Sequence, residues 1–195
     1  MISGFRKIIN KMKKFYFLFI FISVFGFAQE KPNKLGVFGT LEVGAGFDLA
    51  DIIRTSQAKT DYEKSRLPPG KFNYGFTSQI GFQPLHWFAL SGGLRYSYID
   101  PNYHMLYAMV QPSFFLGDPK DEDFLYIYGS FGTKINHTAS KNAGFAGIGV
   151  GKIEPLNKHF GHKFQLYLED QILDGEGNIF IGLSYGIVIF SNKNL

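Results

Sequence analysis

The chain predicts an all-β fold: an eight-stranded antiparallel up-and-down transmembrane β-barrel preceded by a signal peptide. Three observations carry that prediction. The first residues have the form of a cleavable leader. Beyond them, eight runs of about ten to sixteen residues alternate bulky apolar side chains with small or polar ones, as a strand must when lipid meets one face and a lumen the other. Charged residues make up 18% of the chain, below the roughly 25–35% of a water-facing surface.

The leader is assigned to residues 1–28. Arg6, Lys7, Lys11, Lys13 and Lys14 stand without an acid and are followed by an uncharged run from Phe15 to Phe27 and then Ala28. A basic start, a short apolar core and a small residue at the junction define a secretory signal. The core of 13 residues is short for a helix crossing ~30 Å of hydrocarbon. Met12 is an alternative start. Of 20 basic and 16 acidic residues the leader takes 5 basic ones, so the mature chain 29–195 is left with 15 against 16. The basic balance therefore belongs to the leader, and no nucleic-acid partner is expected. The chain has no cysteine, which excludes disulfides and thiolate metal sites.

The strands are expected at 34–49, 71–84, 87–99, 103–116, 124–136, 143–154, 162–173 and 178–190. The second is the clearest: Phe72, Tyr74, Phe76, Ser78, Ile80 and Phe82 share one parity, and Asn73, Gly75, Thr77, Gln79, Gly81 and Gln83 the other. In the first, Leu35, Val37, Leu41, Val43 and Phe47 oppose Gly36, Thr40, Glu42, Gly44 and Asp48. The third opposes Leu90, Leu94, Tyr96 and Tyr98 to Ser91, Gly93, Arg95 and Ser97; the fourth opposes Leu106, Ala108 and Val110 to Tyr107, Met109 and Gln111. The fifth opposes Leu125, Ile127 and Phe131 to Tyr126, Tyr128 and Lys134. In the sixth, Gly144, Gly147, Gly149 and Gly151 leave the parity open; small interior residues would make room there for Tyr126, Tyr128 and Tyr167. The seventh opposes Phe164, Leu166 and Leu168 to Lys163, Gln165, Tyr167 and Glu169, and the eighth opposes Ile179, Ile181, Leu183 and Ile187 to Gly182, Ser184 and Gly186. Pro112 lacks an N–H, so a bulge is expected at that point.

Outer-membrane barrels keep short turns on the periplasmic side and longer loops outside. The longest connection, 50–70, follows the first strand, and a tight turn at 84–86 follows the second. The first strand should therefore run outward. Asp51–Arg54 can begin a short helical turn. Aromatic girdles are expected from Phe82, Trp87, Phe88, Phe115 and Phe164 at the inner rim, and from Phe47, Phe72, Tyr74, Tyr96, Tyr98 and Tyr103 at the outer rim.

From Lys34 to Phe190 the chain resembles the small outer-membrane barrel superfamily of the OmpA transmembrane domain and OmpX, including porin-family barrels. The resemblance rests on the alternation, the strand number and the leader. It implies residence in the cell outer membrane, contact with its lipid and lipopolysaccharide, assembly by the barrel-assembly machinery and a monomeric state. Members often end on an aromatic residue that the insertion machinery reads. Here Phe190 precedes Ser191–Leu195 and falls out of parity with Ile187 and Ile189, which a bulge would repair. A soluble lipocalin-like barrel would share strand number and leader. The polar face here is mostly Gly, Ser, Thr, Asn and Gln, which suits a crowded lumen better than a solvated exterior.

Glu42, Arg95 and Glu169 share the lumen parity at similar height, with Lys134 higher up. Charges at such depth must pair, so Arg95 is expected to meet Glu42, Glu169 or both, with Lys134 in the same lumen charge network. Side-chain filling is the expected result, since eight strands enclose little more than side chains. His137, Ser140 and Asn142 are similar to the arrangement in the lipid A deacylase PagL, but His and Ser stand three apart and the next acid is Glu154. Without an orienting acid the triad logic fails, so no catalytic residue, cofactor site or metal site is expected and the chain is not read as an enzyme. The expected role is structural, adhesive or partner-docking in the cell envelope, with loop 50–70 as a possible protein contact. The alternatives are a narrow pore or small-hydrophobe conduit and, third, a lipid A-modifying acyl hydrolase.

Overall fold

The computed structural model describes residues 35–62, 72–116, 123–137, 142–157, 159–173 and 176–190. The leader expected over 1–28, turn residues 117–122, the loop residues 63–71 and Ser140 lie outside them. Eight antiparallel strands form a closed barrel in chain order: β1 (Val37–Asp48), β2 (Phe72–Leu85), β3 (Phe88–Ile99), β4 (Tyr103–Leu116), β5 (Phe124–Lys134), β6 (Ala143–Pro155), β7 (Phe160–Leu173) and β8 (Glu176–Phe190). β8 pairs back on β1 in one unbroken register from Phe38↔Phe190 to Asp48↔Phe180. A helix, α1 (Leu49–Gln57), follows β1 directly. It extends beyond the single helical turn expected at Asp51–Arg54. The end of the barrel with Val37 and Phe190 is called lower here, and the end with α1 upper.

Alternation places each strand's apolar parity outside. Ile80 is 74% exposed and Leu183 66%, while Glu42, Gln79, Gln111 and Gln165 are buried within. The open parity of β6 is resolved: Phe145, Gly147, Gly151 and Ile153 face in, and Ala146, Ile148 and Val150 face out. The interior has three tiers. Leu35, Phe38, Phe124, Tyr126, Ile153 and Phe190 fill the lower end. Ile99, Met105, Tyr107, Phe145, Leu173 and Phe180 fill the upper end. Polar and charged side chains lie between.

Large interior side chains fit because glycine stands beside them. A Cβ on Gly149 would lie 2.6 Å from Tyr128 Cζ, one on Gly151 2.4 Å from Tyr126 Cζ, and one on Gly182 2.3 Å from Tyr167 Cζ. For Tyr126 and Tyr128 this is the accommodation expected from the sixth strand, whereas Tyr167 finds its glycine on β8.

Several local expectations are corrected. Leu35 is fully buried instead of facing out. Gly36 has φ 64°, a left-handed conformation open to glycine, so the alternation of β1 does not extend back through it. The Leu35 N–H then donates to Gln83 Oε1 at 2.6 Å. Pro112 brings no bulge. The β4–β5 register is the same at Val110↔Phe131 and Ser113↔Tyr128, with no pairing between. Ile135 N donates to Leu106 O, so even-numbered β4 residues bond toward β5, and Pro112 simply omits one donor on that side. The register shift falls instead between Phe82 and Leu85 of β2, and the tight turn is His86–Trp87. Phe190 needs no bulge either: it is 2% exposed and packs in the lower tier, while Ile189 faces out.

Aromatic rings cluster on the outer surface near both rims. Phe72, Tyr74 and Tyr98 have centroids 4.9–6.3 Å apart at the upper end. Trp87, Phe88 and Phe114 do the same at 5.4–6.2 Å at the lower end. Phe115 and Tyr103, expected among the girdles, pack inward against the two apolar tiers.

Gly182→Ala should therefore lower stability by about 1–3 kcal/mol, the usual cost of overpacking, because its Cβ would also meet Ala45 O at 2.5 Å. Gly92→Ala, where the nearest atom is Met109 O at 3.4 Å, should change little. Urea midpoints of the heat-modifiable gel shift compare the two.

Candidate functional site

The middle tier holds two ion pairs. Arg95 rises from β3 and reaches Glu169 on β7, four strands away around an eight-strand ring, where its Nη1 donates to Glu169 Oε2. The link thus crosses the lumen between opposite walls. The other carboxylate oxygen of Glu169 accepts from Gln171 Nε2 at 2.6 Å. The guanidinium lies 4.7 Å from the centroid of Phe145 and 5.9 Å from that of Tyr167, a cation–π setting that helps a desolvated cation.

Glu42 on β1 does not join Arg95. Its Oε1 accepts from Lys163 Nζ at 2.7 Å and from Thr40 Oγ1 at 2.9 Å. The geometry follows from register. Gly186 on β8 is opposite both Glu42 and Lys163, and a Cβ at Gly186 would stand 2.6 Å from Glu42 Cγ. With no side chain there, the carboxylate and the ammonium meet over β8. Lys163 belongs to the site although sequence reasoning placed it only among the inward residues of the seventh strand. Its parity with Glu169 was the available signal; its partner depended on register.

Lys134 ends β5 at the upper mouth, half-buried and opposite Tyr107. A register row runs Lys163–Gly186–Glu42–Thr77–Arg95–Tyr107–Lys134 across seven strands. The structure brings Arg95 to Glu169 and separates both from the Glu42–Lys163 pair.

A cavity of about 40 Å³ lies among Glu42, Gln79, Arg95, Gln111, Gln165 and Glu169. Water needs roughly 10–15 Å³ on this measure, so the space suits a few waters and no larger solute. Both carboxylates at the cavity, Glu42 and Glu169, already accept from a cation and from a neutral donor. The arrangement can hold walls together and exclude ions.

Other sequence candidates lie apart. His137 and Asn142 stand at the upper end, and Glu154 near the lower end of β6. His104 Nδ1 meets Tyr96 OH at 2.7 Å and its Nε2 meets Asn102 Oδ1 at 3.1 Å on the outer surface. His162 meets Tyr185 OH likewise. Among the described residues no three His, Asp or Glu side chains are grouped to hold a metal ion.

Neither a protein-family profile nor a curated protein sequence matches the chain. Among solved structures it is similar to the N-terminal β-barrel domain of Pseudomonas aeruginosa OprF, at 15% identity and a TM-score of 0.46, over 78% of this chain and 97% of that one. It is also similar to a de novo designed transmembrane β-barrel, at 12% identity and a TM-score of 0.42, over 83% of this chain and 98% of that one.

Arg95→Met should destabilise the barrel by about 3–5 kcal/mol, because it leaves Glu169 buried without its cation. Adding Glu169→Leu should recover most of that loss, whereas adding Glu42→Leu should deepen it by stranding Lys163. Denaturant midpoints of the two double variants against the single one decide the pairing.

Proposed function

We propose that the protein is a monomeric outer-membrane barrel with a closed lumen, serving envelope structure, adhesion or docking through its upper end rather than conduction. One observation carries the reading: the molecule is apolar outside and charged inside. Val43, Ile80, Leu94, Val110, Ile148 and Leu183, on six different strands, are all at least 41% exposed. A soluble monomer rarely leaves an apolar patch beyond a few hundred Å². A belt around the whole circumference matches hydrocarbon, and ring clusters near both rims match the interfaces where aromatic side chains settle.

Closure is supported by redundancy. The Arg95–Glu169 link crosses the middle tier, and packed apolar tiers lie above and below it. Removing one link leaves two barriers. Contact with lipopolysaccharide, passage through the barrel-assembly machinery and any protein partner at loop 50–70 belong to this proposal as expected consequences.

Extraction should require detergent, and the unboiled protein should migrate anomalously on gels. Planar bilayers containing the wild type should show no steady current above the lipid baseline, and Arg95→Ala should stay closed as well. Sustained wild-type current would favour the pore reading; current only in Arg95→Ala would make that one side chain the plug.

A further inference from the structure

We infer that α1 lies in the boundary between headgroups and acyl chains of the leaflet at the upper rim, with Ile52 and Ile53 inserted as an interfacial anchor. The inference rests on the membrane reading above and extends it to an element outside the barrel wall.

The helix cannot stand far from the rim. β1 ends at Asp48 and α1 begins at Leu49, with no residue between. Asp48 is buried inside the mouth, and its Oδ1 accepts from the Asp51 N–H at 3.4 Å. A short polar side chain satisfying an early helical N–H is an N-cap, and here it also fixes the helix start to the wall. α1 then packs against the ends of β8 and β1.

Its exposed side carries two isoleucines, with Ser56 and the terminal Gln57. Ile52 and Ile53 are about half exposed, at 50% and 48%. The wall below the helix is already apolar: Phe47, one residue before the cap, is 64% exposed and stands opposite Phe72 and Ile181 on the flanking strands. Phe72 leads into the ring cluster with Tyr74 and Tyr98. The hydroxyl of Ser56 is turned back to donate to Ile53 O at 2.7 Å, so that polar group is satisfied within the helix. Beyond the helix, Lys59, Thr60 and Asp61 are exposed and limit how deep the segment can go. An isolated helix of nine residues is marginal in water, and one wall contact leaves the isoleucines uncovered. A bilayer boundary covers such a face to about 5–10 Å depth. The chemistry of the occupant follows from the belt: its exposed apolar side chains reach the strand ends at Phe47, Phe72 and Ile181, and the helix starts two residues after Phe47.

The test uses tryptophan as a depth reporter. The chain has one tryptophan, so Trp87→Phe gives a silent background. Ile53→Trp, Ile52→Trp and, as a belt control, Leu183→Trp are each added to it and refolded into phosphatidylcholine vesicles, with folding checked by the heat-dependent gel shift. Some vesicles carry lipids brominated near the headgroup and others lipids brominated at mid-chain. The control should lose most of its emission to mid-chain bromine. Both helix reporters should emit to the blue of a water-exposed indole, lose most of their emission to shallow bromine, and resist aqueous acrylamide.

Acrylamide quenching of both helix reporters without bromine quenching, while the control behaves as expected, overturns the inference and leaves the membrane reading standing. Blue-shifted emission that ignores bromine and disappears when the protein is diluted in the vesicles would show a second copy on the face, and also overturns it. If bromine fails to quench the control too, the membrane reading itself has failed.

Discussion

Large side chains crowd the lumen of this narrow barrel, and the structure depends on the glycines that stand beside its largest rings. The solution is written in the cross-strand rows. Tyr128 is opposite Gly149, which is opposite Tyr167, which is opposite Gly182, then Gly46, then Asn73. The two rings have glycine between and beside them, and the Tyr167 hydroxyl crosses two glycine-bearing strands to donate to Asn73 Oδ1 at 3.3 Å. The same device seats the Glu42–Lys163 pair over Gly186. Glycine ordinarily weakens a strand, and these strands accept it because the space it leaves is filled at interior density by a neighbour.

Packing of this kind also settles the electrostatics. A charge in the lumen is costly unless it is paired and hydrogen-bonded. Glu169 meets Arg95 and Gln171; Glu42 meets Lys163 and Thr40. Apolar tiers above and below keep bulk water away from both pairs. A tier of aromatic side chains without the ion pairs would still fill the bore. The pairs add registration, since each carboxylate can be satisfied only when two particular strands hold their heights.

Most of this was legible in the sequence because a period of two is a local property. Each of the eight strands, the inward face of seven of them and the placement of Arg95 and Glu169 inside follow from counting along the chain. What was not legible depends on neighbours. The parity of β6 is hidden by its glycines and is settled only by which of them lie under Tyr126 and Tyr128. Leu35 turns inward because one glycine takes a positive φ. Pro112 was expected to force a bulge, but the strand keeps register and forgoes one bond toward β5, a choice set by the two flanking ladders. Lys163 was missed as the partner of Glu42 because the two are 121 residues apart in sequence and meet only through the register of β8. Phe190 was weighed against its own strand, whereas its place is fixed by Phe38 across the closing seam.

That seam is where the two ion pairs differ in consequence. Joining β8 to β1 brings together the two ends of the folded chain, the longest loop the barrel has to close, and closure entropy is lost before its contacts are gained. The Glu42–Lys163 pair bridges β7 to β1 over β8, directly across this joint, and the Ser184 hydroxyl adds a bond from β8 to Gln165 Oε1 at 3.0 Å beside it. Arg95–Glu169 spans the opposite walls and is complete only when the ring is closed. One pair therefore holds the edges of the seam together, and the other braces the cross-section that closing creates. Both act through the walls, so the ion pairs of the middle tier and the tyrosines beside them serve the same end, which is to hold the ring of strands together.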